Sequence, residues 1–481
     1  MFIKLKNRVF ARFIGSSNIC YIQNRATNTD IMFGGSAREF VKWLSDEPLE
    51  ESFVIDKVCE VFNKTDRKII ENDAKELFEN LEYAGMAIRG NTAEECKEKD
   101  KFSYELYDSD IVKYENNKKL LSNKETNVEL HKYLREHPTI MSFQMEIASC
   151  CNERCIHCYI PHETKTDIMP YEIYEKTLKD LGKMGTIGLI LSGGEPMTNP
   201  RFIDFLKLAN KKGFAVSVLS NLTLLNDEIL EQFKKMKHVS IQTSLYSMNP
   251  EIHDAVTQHK GSFEKTKKAI ETLVANNIIV QVSSPAMKIN KDSFKDVIDW
   301  CENKMKIRAH TDYAIMAECN GCQENLANRL SLKETKEFIN DLIKNDTEYQ
   351  KMLKEQDTSK PIERVIDPED NVCGIGIDSA AMNVYGDVIP CSGFESLKCG
   401  NIKDKSLSDI WENSEVFKML RNLKMKDYPQ CLTCENNAYC SLCIKRHEGE
   451  TGDIRKLAKH FCDVARINRE VAEEWRQKLN K

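Results

Sequence analysis

Three cysteines near the middle of the chain have the spacing C-x3-C-x2-C. Cys151, Cys155 and Cys158 lie in the run CCNERCIHCY. Three thiolates on one tight loop could hold a [4Fe–4S] cube, and the fourth iron would then have no protein ligand and be open for chemistry. Zinc also binds thiolates, but a structural zinc site usually closes with four ligands, and His157 inside the loop would be an awkward fourth.

A second motif, GGEP (Gly193 to Pro196), follows the triplet along the chain. Together the two motifs resemble those of radical S-adenosylmethionine enzymes. The resemblance implies that the three cysteines bind the catalytic cluster, and that the amino and carboxylate groups of S-adenosylmethionine chelate its open iron. It also implies that Gly193, Gly194, Glu195 and Pro196 hold the methionyl amino group, with the glycines allowing close backbone approach.

Polar residues after later strands are weaker candidates. Ser220 and Asn221, together with Thr243 and Ser244, resemble cofactor-contacting positions in that family, although ordinary turn caps would look the same. Relatives often carry an arginine near position 260, where this chain has Lys260, so the partner of the cofactor carboxylate stays open. Cys150 matches no ligand position.

The last quarter of the chain holds a second group of cysteines, which resembles a SPASM domain with auxiliary iron–sulfur clusters. The resemblance assigns an outer cluster to Cys431, Cys434, Cys440 and Cys462, and an inner cluster to Cys373, Cys391 and Cys443. The inner cluster would then have an open iron. Cys399, one of Cys319 and Cys322, or a substrate thiolate could fill it. A zinc ribbon remains the alternative for this region.

Alternating strand-like and helical runs must position these motifs. Strands are predicted at 142–148, 188–191, 214–219, 239–243, 278–283 and 307–315, with helical patterns between them, for example at 170–183, 200–212 and 263–276. Such alternation predicts an α/β protein with a parallel sheet, and with the resemblance a partial (β/α)6 TIM-type barrel. The cysteine triplet and GGEP would share the rim at the carboxyl ends of the strands.

Residues 1–90 show three short strands (9–14, 19–23 and 30–33) and then three amphipathic helices. This order resembles the PqqD-type recognition element of peptide maturases, a winged-helix-like α+β unit in which a leader peptide adds a strand beside residues 30–33. A DNA-binding winged helix is disfavoured because the third helix is acidic.

The remaining domain limits follow from composition and motif position. We expect a polar linker with one short helix at 91–140, the radical enzyme core at 141–360, the SPASM domain at 371–470 and a C-terminal helix at 471–481.

The 481 residues carry a formal net charge of -6, which gives no reason to expect nucleic acid or an anionic membrane as a partner. Charges interrupt the N-terminal residues, and no run of about 18 apolar residues occurs, so we expect a soluble, cytoplasmic protein. In a reducing cytosol, the 18 cysteines favour metal or redox roles over disulfides.

These features predict an enzyme that abstracts hydrogen from a ribosomally made precursor peptide, with a Cys thioether crosslink as the leading product. A flavodoxin or ferredoxin would supply electrons. Alternatives are a carbon–carbon or carbon–oxygen crosslink, oxidation of a protein Cys or Ser as in anaerobic sulfatase maturases, and a non-catalytic zinc-binding peptide adaptor. No side chain stands out as a catalytic acid or base.

Overall fold

A computed structural model describes residues 1–14, 19–26, 29–100, 123–355 and 364–480. The N-terminal part contains two three-stranded antiparallel sheets. The first is formed by β1 (Phe2–Leu5), β5 (Leu49–Glu50) and β6 (Ala87–Gly90), and the second by β2 (Val9–Phe13), β3 (Cys20–Asn24) and β4 (Thr29–Phe33). The sequence predicted the second sheet but missed the first. Residues 15–18, which connect the first two predicted strands, lie outside the described residues.

Four helices accompany these sheets: α1 (Ser36–Val41), α2 (Glu51–Val61), α3 (Arg67–Tyr83) and α4 (Ala93–Lys99). One face of the second sheet packs on the first three helices, with Ile22 and Ile31 against Phe40 and Phe78. The expectation of one short helix in the linker was wrong. The structure has α4 and also α5 (Asn123–Glu136), while residues 101–122 lie outside the described part of the chain.

The opposite face of the second sheet packs against the start of the barrel strands. Phe10 and Tyr21 contact the cluster that contains Ile187 and Ala215, and the Arg25 guanidinium donates to the hydroxyls of Ser217 (2.8 Å) and Ser240 (2.7 Å). The N-terminal unit therefore sits beneath the barrel, at the end remote from the predicted rim.

Six parallel strands form the core of the molecule: β7 (Ser142–Ala148), β8 (Gly188–Gly193), β9 (Ala215–Leu219), β10 (Val239–Ser244), β11 (Ile279–Ser283) and β12 (Arg308–His310). The outer layer contains α6 (Tyr171–Lys183), α7 (Phe202–Lys211), α8 (Asp227–Lys234), α9 (Pro250–Thr257), α10 (Ser262–Ala275) and α11 (Phe294–Asp299). The Tyr174 ring stacks on that of Phe205, with 4.2 Å between centroids. Each aromatic side chain fully buried in this way contributes about 1.5–3 kcal/mol. The prediction of a partial (β/α)6 barrel is confirmed.

The sixth strand is shorter than the predicted 307–315. After His310, the Ala286 amide still bonds to the Asp312 carbonyl (2.7 Å). However, the Thr311 hydroxyl donates to the Ser284 carbonyl and the Asp312 carboxylate accepts from the Ala314 amide. These local side-chain bonds compete with the sheet ladder, so the strand stops at His310.

The C-terminal region extends the same sheet. β13 (Ser379–Met382) pairs in parallel with β7, and β14 (Asp387–Ile389) and β15 (Gly400–Asn401) follow in antiparallel order. The helices of this half are α12 (Leu332–Asn345), α13 (Thr347–Glu355), α14 (Leu407–Asn413), α15 (Glu415–Asn422), α16 (Pro429–Leu432), α17 (Ile444–Thr451) and α18 (Lys459–Leu479). The predicted boundary at 471 is wrong, because α18 is continuous across it. Among the described residues, no helix combines the length and apolarity needed to cross a membrane.

Candidate active site

The loop with the three central cysteines leaves the carboxyl end of β7 and is braced on two sides. From α9, the Thr257 and Val256 carbonyls accept the Arg154 and Ile156 amides, each at 3.0 Å. From the segment after β12, the side-chain amides of Asn325 and Asn328 donate to the carbonyls of Cys158 (3.2 Å) and Ile156 (2.7 Å). These bonds fix the loop without using a thiol.

The two glycines of GGEP lie directly against the cysteine loop. A Cβ on Gly193, whose φ is +129°, would lie 1.9 Å from the Ala148 carbonyl oxygen, and a Cβ on Gly194 would lie 2.3 Å from that of Ser149. The Gly194 amide donates to the Ala148 carbonyl, and the Glu195 amide to that of Cys150, each at 2.8 Å. The glycines therefore let the two motifs pack backbone against backbone.

Glu195 faces inward. Its fully buried carboxylate accepts from the Met197 amide (3.0 Å), the Ser220 hydroxyl (2.8 Å) and the Asn221 amide (2.8 Å). Burial raises its pKa to about 7, although the hydrogen bonds oppose that shift. The side chain thus ties the end of β8 to the loop after β9, and we assign it a positioning role.

A cavity of about 250 Å³ opens between these loops at the rim of the barrel. It brings together most of the predicted first-site residues: Cys151, Cys155, Cys158, Gly193, Gly194, Ser220, Asn221 and Ser244, with Thr243 beside them. Glu195 and Pro196 lie behind the residues that form the cavity wall and do not line the cavity themselves. Lys260 is exposed and does not line it either.

Sequence reasoning missed several polar residues in this cavity. Glu153 and Lys165 are 3% and 6% exposed and both line it, as do His157 and His253. Glu153 Oε1, His157 Nδ1 and His253 Nε2 are buried without a hydrogen-bond partner among the described residues. The available signal was charge inside the C-x3-C spacing, which contains both Glu153 and Arg154 and does not distinguish them.

The C-terminal cysteines fall into the two predicted groups. Those assigned to the outer cluster, Cys431, Cys434, Cys440 and Cys462, all line one cavity of about 400 Å³. In the inner group, the pKa of Cys391 is raised by burial and then by the nearby thiols of Cys443 and Cys373. Among the described residues, no three His, Cys, Asp or Glu side chains lie close enough to share a single metal ion. In a [4Fe–4S] cluster each thiolate binds a different iron, so its cysteines do not need to lie as close together as the ligands of a single metal ion.

Cys399 and Cys319, two candidates for the remaining ligand of the inner cluster, have different surroundings. Cys399 is buried in the core, and its amide donates to the Val388 carbonyl. Burial raises the pKa of its thiol, while Ser414 and Arg421 oppose that rise. The Cys319 amide donates to the Tyr159 carbonyl at 2.8 Å, which places Cys319 at the barrel rim.

A short hydrogen-bond chain connects the first cysteine loop to the inner group. The Tyr159 hydroxyl, next to Cys158 in sequence, lies 2.9 Å from the Ser392 hydroxyl, next to Cys391. Ser392 donates to the buried Glu146 carboxylate on β7 at 2.6 Å. Burial raises the pKa of Glu146 to about 7. The loops that carry Cys158 and Cys391 therefore contact each other.

These residues fit the expected cofactors. Thiolates are the donors that iron–sulfur clusters use, and the first cavity holds three of them beside polar atoms that lack a partner in the protein. Buried polar groups without partners are costly, so such atoms indicate a place for a polar ligand.

Comparisons with known proteins agree with this geometry. Residues 145–301 match the model of the Radical SAM superfamily, and residues 373–435 match that of SPASM, an iron–sulfur cluster-binding domain. The chain is 26% identical over 332 residues to the AdoMet-dependent heme synthase of Methanosarcina barkeri, covering 64% of this chain and 92% of that protein.

A second relative is the antilisterial bacteriocin subtilosin biosynthesis protein AlbA of Bacillus subtilis, 26% identical over 317 residues, covering 64% of this chain and 68% of AlbA. Among solved structures, Streptococcus suis SuiB bound to its precursor peptide SuiA superposes with a TM-score of 0.60 at 14% identity. That match covers 93% of this chain and 97% of SuiB.

The domain matches show an enzyme whose residues 145–301 form a radical S-adenosylmethionine domain and whose residues 373–435 form a SPASM domain. Its cofactors are a [4Fe–4S] cluster bound to S-adenosylmethionine and auxiliary iron–sulfur clusters.

Proposed function

We propose that this enzyme crosslinks a precursor peptide, with a bond between a Cys sulfur and a peptide carbon as the leading product. Cys151, Cys155 and Cys158 hold the catalytic cluster, and S-adenosylmethionine occupies the neighbouring cavity of about 250 Å³. When bound, the cofactor supplies the abstraction of a hydrogen atom from the peptide. The residues of the protein position the cofactor and prevent competing reactions.

The observation that carries the proposal is the contact between the two cysteine loops. Because Tyr159 and Ser392 are hydrogen-bonded, the loops that carry Cys158 and Cys391 lie in contact with each other. Thioether formation removes one hydrogen atom from carbon and one proton from the thiol, and leaves one electron. Cys373, Cys391 and Cys443 would hold an inner auxiliary cluster, which would supply an acceptor for that electron and a binding site for the peptide thiolate. A flavodoxin or ferredoxin supplies the electron that starts the reaction.

The N-terminal unit serves as the leader clamp in this proposal. β4 pairs with β3 on one side, and no strand pairs with its other edge among the described residues. An extended peptide can add there as a further strand, gaining main-chain hydrogen bonds. The resemblance to AlbA and SuiB, a bacteriocin biosynthesis protein and a protein solved with its precursor peptide, supports a peptide substrate.

Mass spectrometry of a co-expressed precursor tests the product. The probe is each candidate precursor peptide from a short open reading frame next to the gene for this chain. A loss of two hydrogens with one cysteine no longer alkylatable is the expected result. A loss of two hydrogens with every cysteine still alkylatable would show that the product is a carbon–carbon or carbon–oxygen crosslink and not a thioether. An unchanged peptide would contradict the proposal.

A variant of β4 tests the clamp. Ile22→Pro is unsuitable because it would break the sheet, whereas Asp30→Pro removes an amide of the edge strand together with the carboxylate that bonds to the Tyr21 hydroxyl, and Asp30→Ala controls for the loss of that carboxylate. If leader docking uses this edge, Asp30→Pro lowers peptide affinity while deoxyadenosine formation without peptide stays at the parent level. Equal peptide affinity in the variant and the parent would show that the leader peptide does not bind at the edge of β4.

A further inference from the structure

A further cavity lies at the floor of the barrel, at the amino ends of the strands and remote from the cofactor rim. Its volume is about 210 Å³, which equals roughly seven water molecules at about 30 Å³ each. The N-terminal unit contributes Arg25, which follows β3, to its wall. Strands β9 to β12 contribute the other polar lining residues, which are Ser217, Ser240, Gln242, Gln281 and Arg308. The size suits a small ligand.

The guanidinium of Arg25 carries a charge that no carboxylate of the described chain neutralises. Its Nη2 donates to the hydroxyls of Ser217 (2.8 Å) and Ser240 (2.7 Å), whereas its Nε is buried without a hydrogen-bond partner among the described residues. Burial lowers the pKa of Arg25, and only the Tyr21 phenol opposes that shift. A buried charge without an opposite charge is costly, so this side chain has an unmet need for an anion.

Hydrogen-bond donors exceed acceptors around this guanidinium. The hydroxyls of Ser217 and Ser240 lie 3.1 Å apart, and each accepts from Arg25. Only one of them can donate to the other, so one hydroxyl proton is left without an acceptor in the described part of the chain. Arg308 adds a second positive charge to the wall, and no Asp or Glu is among the described residues that line the cavity.

The charge of Arg25 acts on a neighbouring residue outside the cavity. Burial, followed by the charges of Arg12 and Arg25, lowers the pKa of His238. Asp46 opposes that shift, but its carboxylate is paired with Lys237. The contact between the N-terminal unit and the barrel therefore has a positive potential that the protein does not cancel.

We propose that the floor cavity binds a small oxyanion, a phosphate or a carboxylate, through the Arg25 guanidinium and the hydroxyls of Ser217 and Ser240. A guanidinium presents its N–H groups in a planar fork that matches two oxygens of such an anion. The bound anion connects the N-terminal unit to β9 and β10, because Arg25 belongs to the former and the serines to the latter. The proposal does not depend on the peptide reaction.

Equilibrium dialysis with radiolabelled inorganic phosphate tests the site. The full chain is reconstituted anaerobically and saturated with S-adenosylmethionine, so that the cofactor cavity is filled. We expect one phosphate per chain. Hydrogen bonds to charged groups set the scale of the loss, so Arg25→Met should weaken phosphate binding about 10- to 100-fold. Ser240→Val keeps the arginine but places methyl groups in the cavity, and it should weaken binding similarly.

Control variants separate the site from general charge effects. Arg67→Met removes an exposed arginine of the same N-terminal unit and should leave phosphate binding unchanged. Arg25→Lys keeps the charge but loses the planar fork, so its affinity should lie between those of the parent and Arg25→Met. Iron content and deoxyadenosine formation without peptide should stay at the parent level in all variants, since neither Arg25 nor Ser240 lines the cofactor cavity.

Two results would overturn the assignment. One is the absence of stoichiometric phosphate binding in the parent, and the other is equal phosphate affinity in the parent, Arg25→Met and Ser240→Val. Candidate precursor peptides identify the natural source of the anion. Displacement of phosphate by a peptide would support the site and assign it to an acidic group of the substrate. Simultaneous binding of both would support the site as one for a free anion.

Discussion

Replacement of Gly194 by alanine tests the packing of GGEP against the cysteine loop. The new Cβ would lie 2.3 Å from the Ser149 carbonyl oxygen and 2.5 Å from that of Cys150, so a backbone segment must move. Such overpacking costs about 1–3 kcal/mol. The movement also strains the amide bonds of Gly194 to Ala148 and of Glu195 to Cys150, each worth about 0.5–1.5 kcal/mol. Together, the free energy of unfolding should fall by about 2–6 kcal/mol.

Urea unfolding of the metal-free protein measures this loss directly. Gly182→Ala is the matched control, because Gly182 lies in α6, is exposed and would place its Cβ in open space. That change should instead stabilise the protein, by about 0.8–1.0 kcal/mol, through helix propensity. Wild-type stability of Gly194→Ala would refute the close packing of the two motifs.

Two further perturbations address the domain contact and the inner cysteine group. His238 packs on Phe10 of the N-terminal unit with 5.5 Å between ring centroids, and burial, followed by the charges of Arg12 and Arg25, lowers its pKa to about 4. Because the folded pKa lies below the unfolded value of 6.5, stability falls as the pH drops below about 6.5, by about 2 kcal/mol at pH 5. His238→Phe should remove this part of the pH dependence of stability. A variant whose free energy of unfolding falls as much as that of the parent between pH 7 and pH 5 would contradict the assignment to His238. At the inner group, Cys399→Ala should keep the iron content of the parent protein, whereas Cys391→Ala should lose iron. Equal iron loss in the two variants would show that Cys399 is also a cluster ligand.

The barrel and the first cysteine site could be predicted from sequence because their signals are local. The strands β7 to β11 follow from apolar runs bounded by turns, and the triplet and GGEP each lie at a strand end. The GGEP glycines were expected to approach the cofactor, and the structure shows that Gly193 packs against the backbone of Ala148 and Gly194 against those of Ser149 and Cys150.

The residues that complete the site could not be predicted in the same way. Asn325 and Asn328 reach the cysteine loop from a distant segment, and only the folded chain shows which carbonyls they bind. Lys165 looks like any surface lysine in the polar run HETKTD, yet the return of the chain towards α6 buries it. The first N-terminal sheet was missed because strands of two to four residues carry too little alternation to be recognised.

Production of 5'-deoxyadenosine tests the central claim most directly. The enzyme is purified anaerobically, reconstituted with iron and sulfide, reduced and supplied with S-adenosylmethionine. The account predicts a brown protein with roughly 12 irons for three four-iron clusters, which forms deoxyadenosine and loses that activity when Cys151, Cys155 and Cys158 are changed to alanine. A colourless protein that contains zinc, or deoxyadenosine formation that survives those three changes, would contradict it.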